Sequence, residues 1–176
     1  AEVVTEPADR DLLRQTLVSA RGALNETRSL TFELSPPVLY ELGFEAAVEQ
    51  LAEQMAEKYG LAVSFEDDGQ PKPLGDDIRV LLYKVVNELL MNVVKHASAH
   101  HVKLSICRSG DLIQTTVADD GVGLNVRDTA ARSDRARGFG LFSIKERLRH
   151  FGGRLDLESR EGGGTRAVVS APLKLA

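Results

Sequence analysis

Apolar residues recur at Ile78, Leu81, Leu82, Val85, Val86, Leu89, Leu90, Val93 and Val94, the spacing of one broad, buried helix face. The pattern predicts a helix from Asp76 to Ala99. Asp76 or Asp77 can cap its start, after Pro73 and Gly75 break the chain. At about 100° per residue, Glu88, Asn92 and Lys95 fall within roughly 60° of one another at the edge of the apolar arc. On that wheel His96 lies a little further round, towards the apolar centre. Polar groups along the border of a core face need polar company. The plain alternative is a solvated flank with an i,i+4 Glu–Asn pair.

The rest of the chain is arranged around this helix. Leu13, Leu17, Ala20, Leu24, Thr27, Thr31 and Leu34 alternate steps of four and three. That heptad seam predicts a bundle-packing helix over 10–34, ended by Pro36-Pro37. A second helix is predicted from Glu41 to Tyr59, with Phe44, Val48, Leu51 and Met55 inward and Gly60 as C-cap. Leu61, Val63 and Phe65 alternate as a strand, and 67–75 reads as a polar loop. Val102, Leu104 and Ile106 form the next strand, which turns at Ser109-Gly110-Asp111 into a partner over 112–118. Ile113, Thr115, Val117 and Asp119 share one face of that partner. A carboxylate therefore continues an inward row and needs donors. It opens Asp119-Asp120-Gly121-Val122-Gly123, whose glycines let a ligand approach the backbone. Residues 124–137 lose apolar periodicity and carry Arg127, Arg132, Arg135 and Arg137. They are a solvated loop or a lid carrying guanidinium groups over phosphates. Gly138-Phe139-Gly140 is predicted to open a helix over 141–151, its free N–H groups offering a phosphate site. A hairpin through Gly162-Gly163-Gly164 closes the chain, with Thr165 opening its last strand.

Composition narrows the classes. The 176 residues, 43% hydrophobic, suffice for one domain with an appendage. The net charge of −4 gives no basic footprint for nucleic acid. Cys107 is the single cysteine, so no internal disulfide exists, which fits a reducing compartment. No apolar run approaches a membrane span. The first residue is Ala1, and the chain is read as a fragment, cytoplasmic, of a protein with room for a membrane anchor upstream.

Four pieces stand in order: N-E-L-L-M-N-V-V-K-H-A (Asn87 to Ala97), D-D-G-V-G (Asp119 to Gly123), G-F-G-L-F-S-I-K-E-R-L (Gly138 to Leu148) and G-G-G-T (Gly162 to Thr165). In this order they resemble the N, G1, G2 and G3 boxes of the sensor histidine kinase ATP-binding domain. This is the Bergerat-fold family shared with DNA gyrase, the heat-shock chaperone ATPases and the MutL repair proteins. The K-H-A ending and the G-L-x-x-I-x-E-R run look most like the nitrate/nitrite-sensor and oxygen/dormancy-sensor subfamily, as does Arg28 to Phe44. The resemblance implies a two-layer α/β sandwich, a mixed sheet of about five strands with three helices, plus an N-terminal helix. Residues 1–36 would be the partial second dimerisation helix and linker, and 37–176 the catalytic ATP-binding domain.

It further implies ATP and Mg²⁺ as cofactors. Asp119 would accept from the adenine amino group, with Thr165 lining the base pocket. Asn92 would ligate Mg²⁺, and Glu88 would hold a metal-bound or attacking-site water. Lys95 and His96 would face the phosphates, with Glu88 and Lys95 as catalytic groups. Gly121, Gly123, Gly138, Phe139, Gly140 and Leu141 would close the backbone and lid on the nucleotide. Implied partners are a homodimer's own dimerisation and phosphoacceptor domain and a response-regulator receiver domain. Asp120 stands where Asn is often found, and the lid has no phenylalanine-bearing box. His96, His100, His101 and His150 all lack the subfamily's phosphoacceptor context. The expected activity is transfer of the ATP γ-phosphoryl to a histidine outside this chain. The alternatives are a conformational ATPase of the gyrase, chaperone or MutL type, and a nucleotide-binding module without turnover.

Overall fold

The computed structural model describes residues 36–123, 135–159 and 163–174, with backbone alone at 135–140 and 142. The helix predicted over 10–34 lies outside them, as do Arg127 and Arg132 of the lid. From Val38 onward the chain forms one compact unit.

Pro37 opens a five-residue helix, α1 (Pro37–Glu41), where its fixed φ suits the first helical position. The single helix expected over 41–59 is therefore broken. Gly43 takes φ 97°, and α2 (Phe44–Tyr59) begins after it. Apolar residues on both sides of Gly43 hid the break from the periodicity. As expected, α2 ends on Gly60, which is left-handed and donates its N–H to the Ala56 carbonyl at 3.0 Å. Strand β1 (Ala62–Asp67) leads to α3 (Asp76–Asn92). The N-cap of α3 is Gly75, with no side-chain cap. The helix starts one residue earlier than a capping aspartate requires. Asp76 and Asp77 therefore sit inside its first turn, where the helix dipole favours them.

Beyond Asn92 the chain winds as a π turn, Val93–Ala97, closed by Ser98 at φ 48°. Strands β2 (His101–Ser109) and β3 (Leu112–Asp119) form the expected hairpin. Helix α4 (Arg135–His150), β4 (Arg154–Ser159) and β5 (Thr165–Pro172) follow. The start of α4 corrects the sequence reading. Good helix formers at Arg135-Ala136-Arg137 carry the helix upstream, so Gly138 falls in its first turn and Gly140 beyond it.

The sheet order is β1-β2-β3-β5-β4, parallel only between β1 and β2. Helix α3 is the crossover of that parallel pair. Helices α2, α3 and α4 cover one face: α2 against β1, α3 over β3 and β5, α4 against β4. Leu82, Val85, Val86 and Leu90 of α3 are fully buried, each contributing about 1.5–3 kcal/mol by leaving water. They face Leu104, Ile106, Ile113 and Val169 of the sheet. The expected two-layer mixed sheet of five strands is the observed one.

The polar loop after β1 is more tightly held than its composition suggests. Lys72, its side chain wholly buried, donates to Asp67 Oδ1 (2.6 Å), Asp68 Oδ1 (2.5 Å) and the Gln70 carbonyl (3.0 Å). All three ammonium protons are thus satisfied. Asp68 Oδ2 accepts the Arg108 backbone N–H at 2.7 Å, and Arg108 Nη1 donates to the Pro71 carbonyl at 3.0 Å. The Lys72 ammonium and the Arg108 N–H hold the Asp68 carboxyl down at about 2.

Candidate nucleotide site

The inward row of β3 runs as its period predicts. Ile113, Thr115 and Val117 are buried, and half-buried Asp119 ends the row. Beside it, β5 begins at Thr165. Asp119 Oδ1 accepts the backbone N–H of Gly121 at 2.9 Å and of Thr165 at 3.3 Å. One carboxylate oxygen is thereby fixed to the protein, and Oδ2 remains for a further donor.

Two glycines make this convergence possible. A Cβ on Gly164, at φ 74°, would collide with the Asp119 carbonyl oxygen. One on Gly121 would collide with the carbonyl of Ala97. The same Ala97 oxygen accepts the Val122 N–H at 2.8 Å, so the Asp119–Gly123 turn is seated on the end of the central helix. Ser159, ending β4, donates to the Gly164 carbonyl at 3.0 Å and lies 3.2 Å from Thr165 Oγ1. Sequence reasoning placed Asp119, Gly121 and Thr165 here. It missed the Ala97 carbonyl, Ser159 and the packing role of Gly164, although G-G-G-T pointed to the neighbourhood.

The sequence singled out Asp120 only as standing where Asn is often found, and His100 and His101 only as lacking the phosphoacceptor context. They form a tight group. Asp120 Oδ1 accepts the backbone N–H of His100 (2.8 Å) and of His101 (2.9 Å), and Oδ2 lies 2.9 Å from His101 Nδ1. These bonds, the His101 N–H first, hold the Asp120 carboxyl below the usual carboxylate range.

The polar edge of α3 leads towards the same turn. Glu88 and Asn92 are half-buried, one helical turn apart, while Lys95 and His96 are exposed. Among the described residues, none of the four has a side-chain hydrogen-bond or ion-pair partner. His96 departs from its expected position towards the apolar centre. The π turn takes more than 3.6 residues per turn, so the wheel drawn through Glu88 and Asn92 no longer holds after Asn92. Leu141 is half-buried against the core. Gly138, Phe139 and Gly140 lie on α4, and Gly123 follows Val122 in the turn. Among the described residues no group of three or more His, Cys, Asp or Glu is placed to hold a metal ion by itself. His150 ends α4 exposed, its ring 5.4 Å from that of Phe151.

The chain's sequence and fold match known proteins. Residues 77–175 match the family described as histidine kinase-, DNA gyrase B-, and HSP90-like ATPase, and the chain belongs to that family. It is 32% identical over 152 residues to an uncharacterized sensor-like histidine kinase of Chloroflexus aurantiacus, covering 85% of this chain and 26% of that protein. It is 34% identical over 145 residues to the sensor histidine kinase MctS of Rhizobium johnstonii, covering 82% and 31%. In these pairings the chain thus matches under a third of each relative's length. The fold resembles the histidine kinase domain of the Erythrobacter litoralis blue-light activated histidine kinase. The TM-score is 0.60 at 20% identity, over 74% of this chain and 61% of that one. Among the described residues no helix is long and apolar enough to cross a membrane.

Proposed function

We propose that residues 37–176 are the ATP-binding catalytic domain of a two-component sensor histidine kinase, and that residues 1–36 belong to its dimerisation element. The carrying observation is Asp119, a carboxylate with Oδ1 anchored by Gly121 and Thr165 and Oδ2 available for the adenine amino group. The Asn87–Ala97 helix end, the glycine turn and the Gly164–Thr165 corner supply the rest of the cleft.

Asn92 is the chain's own ligand for Mg²⁺, with Glu88 one turn earlier. A hard cation that keeps waters and phosphate oxygens needs only one or two protein oxygens, which fits this donor set. When bound, the ion would neutralise charge on the phosphates. Lys95 and His96, exposed beyond Asn92 on the same helix end, would face the phosphates. The work left to the protein is positioning and charge neutralisation. The acceptor is a histidine on a dimerisation helix of the same kinase, which acts as a homodimer and passes the phosphoryl to a response-regulator aspartate. The whole site faces the cytoplasm.

Calorimetry with MgATP tests the reading. In Asp119→Asn, the backbone N–H groups claim the amide oxygen and turn its NH₂ towards the donating adenine amino group. Binding should weaken about 100-fold. Near-unchanged affinity would remove Asp119 from the base pocket.

A further inference from the structure

Asp120 makes four bonds to one short segment. Besides accepting from His100 and His101 and meeting the His101 ring, it donates its own N–H to the His101 carbonyl at 3.2 Å. That segment begins just after Ser98, which closes the π turn of the central helix. The Ala97–Val122 bond lies three residues before it. The Asp119–Gly123 turn is therefore fastened at Val122 to the end of the helix that carries Glu88 and Asn92, and at Asp120 to the link between that helix and β2. The two fastened residues have little burial of their own, since Asp120 is exposed and Val122 is 55% exposed. Fixing their backbone needs such bonds to offset conformational entropy. The carboxyl is anionic at neutral pH, so the bonds it accepts are charge-assisted.

We propose that Asp120 is a positioning residue for nucleotide binding. Its clasp on His100 and His101 sets the separation between the base-reading carboxylate of Asp119 and the phosphate-facing edge of the central helix. The inference rests on the nucleotide reading above. It predicts a ligand-dependent penalty: a ligand spanning both halves of the site needs the separation, and one reaching only the base half does not.

The test uses the full 176-residue chain with MgATP, which spans both halves, and adenosine, which does not. Asp120→Ala should weaken MgATP about tenfold and adenosine no more than about threefold. Asp120→Asn should restore MgATP binding to within about threefold, because its carbonyl oxygen accepts both backbone N–H groups and its NH₂ reaches a neutral His101 ring. His101→Ala, which keeps the backbone bonds, should stay within about twofold. If Asp120→Ala does not fold, Asp120→Ser, too short to reach the two amides, takes its place. Equal losses for both ligands, or an Asp120→Asn as weak as the alanine variant, would overturn the proposal. So would MgATP affinity unchanged in the alanine variant. A wild-type chain that binds neither ligand would instead refute the nucleotide reading and remove the basis of this one.

Discussion

Thr115 shows how closely the inward row of β3 belongs to the core. Its side chain is fully buried between cross-strand neighbours Ile106 and Val169, and among the described residues its hydroxyl has no hydrogen-bond partner. An unpaired buried hydroxyl is destabilising, so Thr115→Val should stabilise the protein by about 1 kcal/mol. Urea denaturation with an unchanged m-value reads this directly. Four positions further along, the same row ends at Asp119, whose donors are in place. At Asn92 the expectation concerns metal dependence. Asn92→Ala should weaken nucleotide binding in Mg²⁺ about tenfold, yet leave binding in excess chelator within about twofold. Equal losses in both conditions would take Asn92 away from the ion. The residue types were legible because Asp119 is polar where the period of β3 demands an apolar residue, and Glu88 and Asn92 are polar at the border of the central helix's apolar arc. The partners of Asp120 were not legible. They lie 19 and 20 residues away, and no local period reports a long-range bond.

At the level of elements, sequence reading did best where one period ran uninterrupted and worst where it changed. The core faces of α2, α3, β2 and β3 came out as predicted. The break at Gly43, the early start of α4 and the π turn did not, because each alters the winding without altering composition. The loop between β1 and α3 shows a different limit. It reads as polar, yet Lys72 locks it from inside. Lys72→Met would leave Asp67 and Asp68 without their cation, destabilising the protein by about 2 kcal/mol. That is below the fully buried case because both carboxylates remain 23–28% exposed. The same lock predicts an acid response. The Asp68 carboxyl lies near 2 when folded against its ordinary 3.8, so between those values the unfolded chain binds more protons. Stability should be intact above pH of about 4 and fall as pH drops towards 2. Thermal midpoints across this range should show that decline shallower in Asp68→Asn; an unchanged slope would deny Asp68 its part.

For the whole molecule, the mixed five-stranded sheet agrees with the family assignment, and the four histidines bear on what the chain does alone. His96 sits exposed on the π turn, His100 and His101 are engaged by Asp120, and His150 ends a helix. In-line transfer needs the acceptor nitrogen within about 3–3.5 Å and opposite the leaving oxygen. The isolated chain should therefore bind MgATP without forming phosphohistidine, and transfer should begin only when a dimerisation helix with an acceptor histidine is added. Acid-labile, alkali-stable phosphate on the chain alone, lost in His96→Ala, would contradict this. The sheet's central strand carries a further consequence. β3 is hydrogen-bonded along both edges, to β2 and β5, and its outer end is the carboxylate proposed to hold the base. In hydrogen exchange such a strand opens only with global unfolding, whereas loops and edges open locally at lower free energy. A nucleotide held there is tied to the last part of the protein to come apart. Its binding should slow exchange in the interior of β3 by the full mass-action factor, 1 + [L]/Kd, rather than by the smaller factor of a local opening.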